Sequence, residues 1–235
     1  MNRTFRSDES FWNLFPSARL GILTAWDVHN APASLAASLL EKAVAQGNQR
    51  FGPVEELAKI PEIAVWRTAY KTFGAPKGNR SSVEALLRRV AKGKGLPSIN
   101  PLVDCYNAVS LEYALPCGGE DLDRMEGDLV LTRAKGGEPF LPLGESEEDP
   151  PREGEVIYKD DAGAICRCWN WREAMRTRLT EDTVRAVLVI ESLAPEGDTT
   201  LEKALQALEK HVRNLLGGKT LSYLVTRQNR EIPLP

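Results

Sequence analysis

At 235 residues, 42% of them hydrophobic and 27% charged, the chain can bury a sizeable core as one domain or as two tightly fused lobes. No run is long and apolar enough to span a membrane, and MNRTFRSDESFWNLF lacks the charged-then-apolar pattern of a secretory leader, so no membrane partner is expected and a cytoplasmic protein is. The net charge of −3 hides an asymmetry, a basic span from Arg67 to Lys94 against an acidic excess from Glu120 to Glu155.

Residues 1–20 hold Phe5, Phe11, Trp12, Leu14 and Phe15, too many large apolar groups for a free tail, so this segment is expected to pack on the rest of the chain. GILTAWDV (21–28) reads as a strand ending near His29, which has no nucleophile beside it and is taken as an ordinary strand-end residue. Residues 33–45 form an alanine- and leucine-rich helix, and Pro53 and Pro61 bracket a short helical piece. A helix over 62–73 then gathers Ile63, Trp66, Ala69, Tyr70 and Phe73 on one apolar face, while Arg67 and Lys71, four apart, share another. APKGNR (75–80) adds Lys77 and Arg80. Ser81 and Glu84 read as a capping box opening a helix over 82–92 that turns Arg88, Arg89 and Lys92 outward. The plain reading of this basic span is a solvated helix face. The sharper one is a surface that docks phosphates by neutralising their charge, aimed at backbone and not at bases, since no RNA-binding signature occurs.

The stretch from Asn100 to Arg133 reads as helix, glycine turn and strand, and the rest of the chain is organised around it. Asn100 caps a helix with Pro101 at its first position, Leu102, Val103, Tyr106 and Val109 recur at helical spacing, and Asn107 and Ser110 are polar positions on it. Pro116 stops the helix, Gly118 and Gly119 allow a close turn, and Leu129 to Leu131 make a strand. Asp104 and Asp121 read as helix and turn organisers. Residues 139–155, rich in Pro, Gly and acid, are a surface loop or a join between lobes. Strands over 155–159 and 164–168 flank a turn at Asp160–Gly163. Cys105, Cys117, Cys166 and Cys168 read as reduced and buried; Cys166 and Cys168 would share a strand face, with no second pair or histidine to complete a metal site.

The second of these strands runs into Trp169-Asn170-Trp171-Arg172. If extension persists, the two tryptophans lie on one face, walling an apolar pocket or buried in the core, and Asn170 and Arg172 lie on the other, placed to orient a polar ligand. Ala186 to Ile190 is a buried strand that delivers Glu191, a carboxylate suited to an ammonium. A capping box at Thr199 and Glu202 opens the last helix, 220–226 is a final strand, and 227–235 trails off.

VDCYNAVSLEYALPCGGEDLDRMEGDLVLTRAKGGEPF resembles the B3/B4 domain, the tRNA-binding and editing domain of the phenylalanyl-tRNA synthetase β subunit, whose pattern is a Val-Asp-x-x-Asn helix, a Pro-containing turn and an Asp before a strand. WRTAYKTFG, RSSVEALLRR and CWNWR are similar to segments shared by free-standing B3/B4 proteins. The resemblance covers about residues 61–193, with 1–60 as the N-terminal part of the same domain and 194–235 completing it. It implies an α/β (α+β) fold of mixed sheets flanked by helices, two-lobed, with the site between lobes. It also implies hydrolysis of the ester of mischarged aminoacyl-tRNA, without metal or organic cofactor. On that footing Asn170 and Glu191 would be catalytic, and Asn107, Ser110, Pro116, Cys117, Gly118, Gly119 and Arg172 would bind substrate. Arg67, Lys71, Lys77, Arg80 and Arg88 would meet tRNA phosphates. Gly118 stands where the synthetase domain's Pro-x-His turn has its histidine, and this favours the alternative of a tRNA- or amino-acid-binding module without turnover. DNA is not an expected partner in either case.

Overall fold

The computed structural model describes residues 3–235. The chain opens with β1 (Arg3–Ser7), α1 (Glu9–Leu14), β2 (Arg19–Trp26) and α2 (Ser34–Arg50). Helices α3 (Pro61–Thr72), α4 (Ser82–Ala91) and α5 (Pro101–Tyr113) follow, then β3 (Cys117–Asp121), β4 (Leu129–Arg133), β5 (Val156–Lys159), β6 (Ala164–Arg167) and β7 (Arg172–Glu173). The last elements are β8 (Arg185–Ser192), α6 (Thr200–Leu216), β9 (Lys219–Val225) and β10 (Glu231–Leu234). As expected, this is a mixed α/β arrangement of sheets flanked by helices. One sheet has six strands in the order β10-β1-β4-β5-β6-β7, with β1 and β4 parallel and the other neighbours antiparallel. The other has four antiparallel strands in the order β3-β8-β2-β9.

Side-chain alternation along β8 explains how the layers stack. Ala186, Leu188 and Ile190 face α5 and α6, together with Leu23 and Ala25 of β2 and Leu205 and Leu208 of α6. Val187, Val189 and, in the same register, Glu191 face the six-stranded sheet, together with Leu20 and Ile22. A strand apolar on both faces is buried on both faces, and here it carries a carboxylate into the space between the sheets.

The aromatic N-terminal segment packs on the body of the protein as expected. Asp8 caps α1 by accepting from the Phe11 N–H at 3.2 Å, and Phe11, Trp12 and Phe15 enter the core, where Phe11, Phe15 and Trp66 all lie within 5.0 Å, centroid to centroid, of Trp169. Asn100 caps α5, accepting from the Val103 N–H at 3.1 Å, and Asp104 and Asp121 serve nearby backbone amides at Ile99 and Asp123.

Four local expectations are corrected. Gly118 and Gly119 lie in strand β3 and not in a turn. Gly119 is needed for close approach, because a Cβ there would collide with Leu188 Cδ2 and lie 3.2 Å from Leu179 Cδ1. Residues 227–235 do not trail off; β10 pairs with β1 and buries Ile232 and Leu234. Neither capping box forms: Ser81 and Thr199 make no side-chain cap, Glu84 is drawn to Arg67, and Glu202 to Arg19. In each, an ion pair with a distant arginine outcompetes the local amide. Finally, Cys168 does not share a strand face with Cys166, because β6 ends at Arg167 and Cys168 and Trp169 have φ of +46° and +65°.

Candidate functional site

Two consecutive left-handed residues are costly, at roughly 1–3 kcal/mol each for non-glycine side chains, and here they redirect the chain after β6. Trp169 turns wholly into the aromatic core. Trp171 stays at the surface side, its ring 5.7 Å from the Arg167 guanidinium and 5.3 Å from that of Arg172. The expectation of two tryptophans on one face, with Asn170 and Arg172 opposite, is therefore replaced. Asn170 points inward to Glu191, whereas Arg172 lies at the rim, 3.7 Å from Glu145.

Asn170 and Glu191 form the centre of a buried polar chain. Glu191 accepts from the Tyr158 hydroxyl and from Asn170 Nδ2, each at 2.8 Å; Asn170 Oδ1 in turn accepts from the Tyr70 hydroxyl at 3.0 Å. Burial pushes the Glu191 carboxyl up to about 8, against the pull of those hydrogen bonds. The Trp169 indole N–H sits close enough to favour the charged carboxylate but makes no hydrogen bond of ordinary geometry. Tyr70 and Tyr158 are pushed well above the usual tyrosine range, chiefly by burial, and remain neutral donors.

Around this chain opens a cleft of about 260 Å³ between the edge strands β3 and β7 of the two sheets, walled by Leu129, Leu143, Val189 and Trp169. Gly118, Gly119, Arg172, Asn170 and Glu191 line it. Cys117 lines it through its backbone, because alternation sends its thiol toward α5 and α6, where Sγ meets Leu115 O. Two expected ligands lie elsewhere: Ser110 Oγ donates to Leu115 O at 2.6 Å, beyond β3, and Pro116 contributes only its carbonyl, which accepts the Glu191 N–H at 3.1 Å. That bond fixes which β3 amides are free. Two residues on, Gly118 faces β8 in the ladder, so the N–H groups of Cys117 and Gly119 point out of the sheet edge, as does that of Asp121, which donates to Thr177 O at 2.8 Å.

Three polar cleft residues carry no signal in the sequence that assigns them to the site: Tyr158, which donates to Glu191, and the acids Glu120 and Glu173. Glu120 shares the inner face of β3 with Gly118, and Glu173 lies opposite Cys166 in the β6–β7 pair. Burial, and then the charge of Glu173, hold Glu120 well above the carboxylate range; burial raises Glu173 to about 7. Reading residues 117–119 as a turn concealed the period-2 relation that puts Glu120 beside Gly118.

A basic groove of about 520 Å³ meets this cleft, sharing Ser82, Cys117, Trp171 and Glu173 with it. Arg80, Arg88, Arg89, Lys92 and Lys94 line it, and Asn107 of α5 belongs to it and not to the cleft. Arg67, Lys71 and Lys77 line an adjoining hollow with Arg80. Three of these cations surround one buried acid: Arg67 holds Glu84 bidentately at 3.0 and 2.5 Å, with Arg88 at 3.7 Å and Arg80 at 3.9 Å. That acid orders them and cancels one of their charges. Arg89, Lys92 and Lys94 have no acidic partner within salt-bridge distance among the described residues.

Two sheets flanked by helices, whose edges enclose a carboxylate-bearing cleft with a cationic groove at its mouth, define a mixed α/β fold. A family model described as "B3/4 domain" matches residues 65–215, and the chain belongs to that family. Over 71 residues it is 39% identical to the "Phenylalanine--tRNA ligase beta subunit" of Leifsonia xyli, and over 79 residues 34% identical to that of Fusobacterium nucleatum. These matches take in 30% and 34% of this chain but only 8% and 10% of the relatives, so the shared part is a small fraction of those subunits. A crystal structure of an N-terminal fragment of the phenylalanyl-tRNA synthetase β subunit from Pyrococcus horikoshii aligns with a TM-score of 0.50 at 15% identity, over 100% of this chain and 55% of that one, a likeness of fold. No described helix is long and apolar enough to cross a membrane.

Proposed function

We propose that this B3/4 domain protein is a trans-acting aminoacyl-tRNA deacylase, which binds tRNA and hydrolyses the ester of mischarged species. The observation that carries the reading is the junction of the basic groove with the small cleft at Ser82, Cys117, Trp171 and Glu173. A ribose-phosphate end lying in the groove would present an ester to the cleft. In the reaction, water attacks the acyl carbon, the bond to the ribose oxygen breaks, and the proton from water ends on that oxygen. Glu191, fixed by Asn170 and Tyr158, would take up and return that proton, and the outward N–H groups of Cys117 and Gly119 would receive the oxyanion. Gly118 cannot supply what a histidine would, so the burden falls on Glu191.

The test is deacylation of a panel of correctly and wrongly charged tRNAs. Hydrolysis confined to a few mischarged species is expected, with a fall of about 100-fold or more in Glu191→Gln. Above background hydrolysis, the rate should rise with pH toward about 8 as Glu191 ionises, and that rise should vanish in the variant. Intact tRNA binding without turnover of any ester would instead favour the binding module. One observation speaks for that second reading: both Glu191 oxygens already accept from protein donors.

A further inference from the structure

We propose that Glu120 and Glu173 form a seat for a primary ammonium group of the ligand. The inference rests on the deacylase reading for taking the cleft as the acyl pocket, but its test needs no turnover. Glu120 is 6% exposed, lines the cleft, and its Oε2 has no hydrogen-bond partner. Glu173 has one long contact, with the Tyr106 hydroxyl at 3.4 Å, and its Oε1 would lie 3.7 Å from a Cβ built on Gly118. The bare glycine therefore leaves open the space in front of this carboxyl.

Neither acid has a cation within salt-bridge distance among the described residues. The nearest candidates are committed elsewhere. Arg176 gives both its terminal nitrogens to Asp160, at 2.9 and 2.7 Å, and Arg172 faces Glu145. Two carboxyls thus line one cleft with no cation paired to either, and the charge of Glu173 disfavours that of Glu120 more than Arg176 favours it. An unpaired carboxylate is costly to bury, and a ligand cation placed beside both groups offsets desolvation and repulsion alike. The Tyr158 hydroxyl and Asn170 Nδ2 are both given to Glu191, so neither competes with the ligand for Glu120 or Glu173. The walls Leu129, Leu143 and Val189 suit a short aliphatic chain carrying the ammonium.

Such an ammonium has two sources, the α-amino group of the acyl moiety or the end of its side chain, and three probes separate them. Norleucinamide carries only the first, Nα-acetyl-lysinamide only the second, and N-acetyl-norleucinamide neither. Binding to the full chain is followed by tryptophan fluorescence, for which Trp171 at the cleft is the reporter. At least one amine-bearing probe should bind about tenfold or more tighter than the neutral one. Glu120→Gln and Glu173→Gln should each abolish that preference, whereas Glu112→Gln, on the exposed side of α5, should keep it. Equal binding of all three probes, or none, overturns the proposal, as does a preference that survives both glutamine variants. Should a variant unfold, the comparison of probes on the parent protein decides alone. Amine preference without ester hydrolysis would sink the deacylase reading and leave the seat; hydrolysis without amine preference would do the reverse.

Discussion

Glu191 is a carboxyl whose proton the fold retains. Its folded-state value of about 8 lies above the 4.5 of an ordinary glutamate, so between those values the folded protein holds a proton that the unfolded chain releases. The stability this group contributes is complete below about pH 4.5 and is lost as pH rises to about 8. Glu191→Gln cannot ionise, yet its amide can still accept from Asn170 and donate to Tyr158. Urea unfolding at about pH 5 and about pH 8 should therefore show a smaller loss of stability in the variant than in the parent. Equal losses would mean that Glu191 ionises in the folded protein as it does in water. Asn170 depends on a similar arrangement: the left-handed Cys168 and Trp169 deliver it to the cleft, and Phe11, Phe15 and Trp66 clamp Trp169 in place. The aromatics of the first fifteen residues are thus the wall against which a cleft residue is set.

At the scale of elements, β3 shows two adjacent glycines with different reasons to be glycine. Gly119→Ala should cost about 1–3 kcal/mol, because its methyl meets Leu188 and Leu179 in a packed layer. Gly118→Ala should change stability by only about 0.5 kcal/mol, since the nearest atom, Glu173 Oε1, lies at ordinary contact distance. Thermal unfolding of the two variants tests the assignment, and equal destabilisation would place the glycines in a turn after all. The helices were legible in the sequence because each carries an apolar stripe, and α5 also carries Asn100 and Pro101 at its start. Strand β3 was not, since glycines required by a neighbouring sheet look the same in sequence as glycines required by a turn. Strands β1 and β10 are short edge-region segments, and β10 shows its role only through pairing with residues more than two hundred positions away. Glu191 was legible as the end of an apolar run. Glu120 and Glu173 were not, because acids in a polar stretch look solvated until two sheets close over them.

Over the whole molecule, charge is distributed so that a chain of net charge −3 still offers a polyanion a path. The groove from Arg80 to Lys94 is cationic, the far side of the cleft mouth is acidic from Glu145 to Asp149, and the cleft lies between them. Phosphates would be drawn to one side and repelled from the other, which orients an incoming strand. The cations must be chosen with care to test this. Removing Arg67 leaves Glu84 buried without its bidentate partner and threatens the fold itself. Lys92 and Lys94 line the groove at the exposed end of α4 without an acidic partner within salt-bridge distance among the described residues, so Lys92→Ala with Lys94→Ala removes field and little else. The double variant should keep its unfolding temperature and bind tRNA more weakly, and its plot of log affinity against log salt should flatten by roughly 0.7–0.9 per lost phosphate contact. Binding of the small amine probes should not change. An unaltered salt slope would move the nucleic acid off this groove, and with it the argument that an ester on an RNA end reaches the cleft.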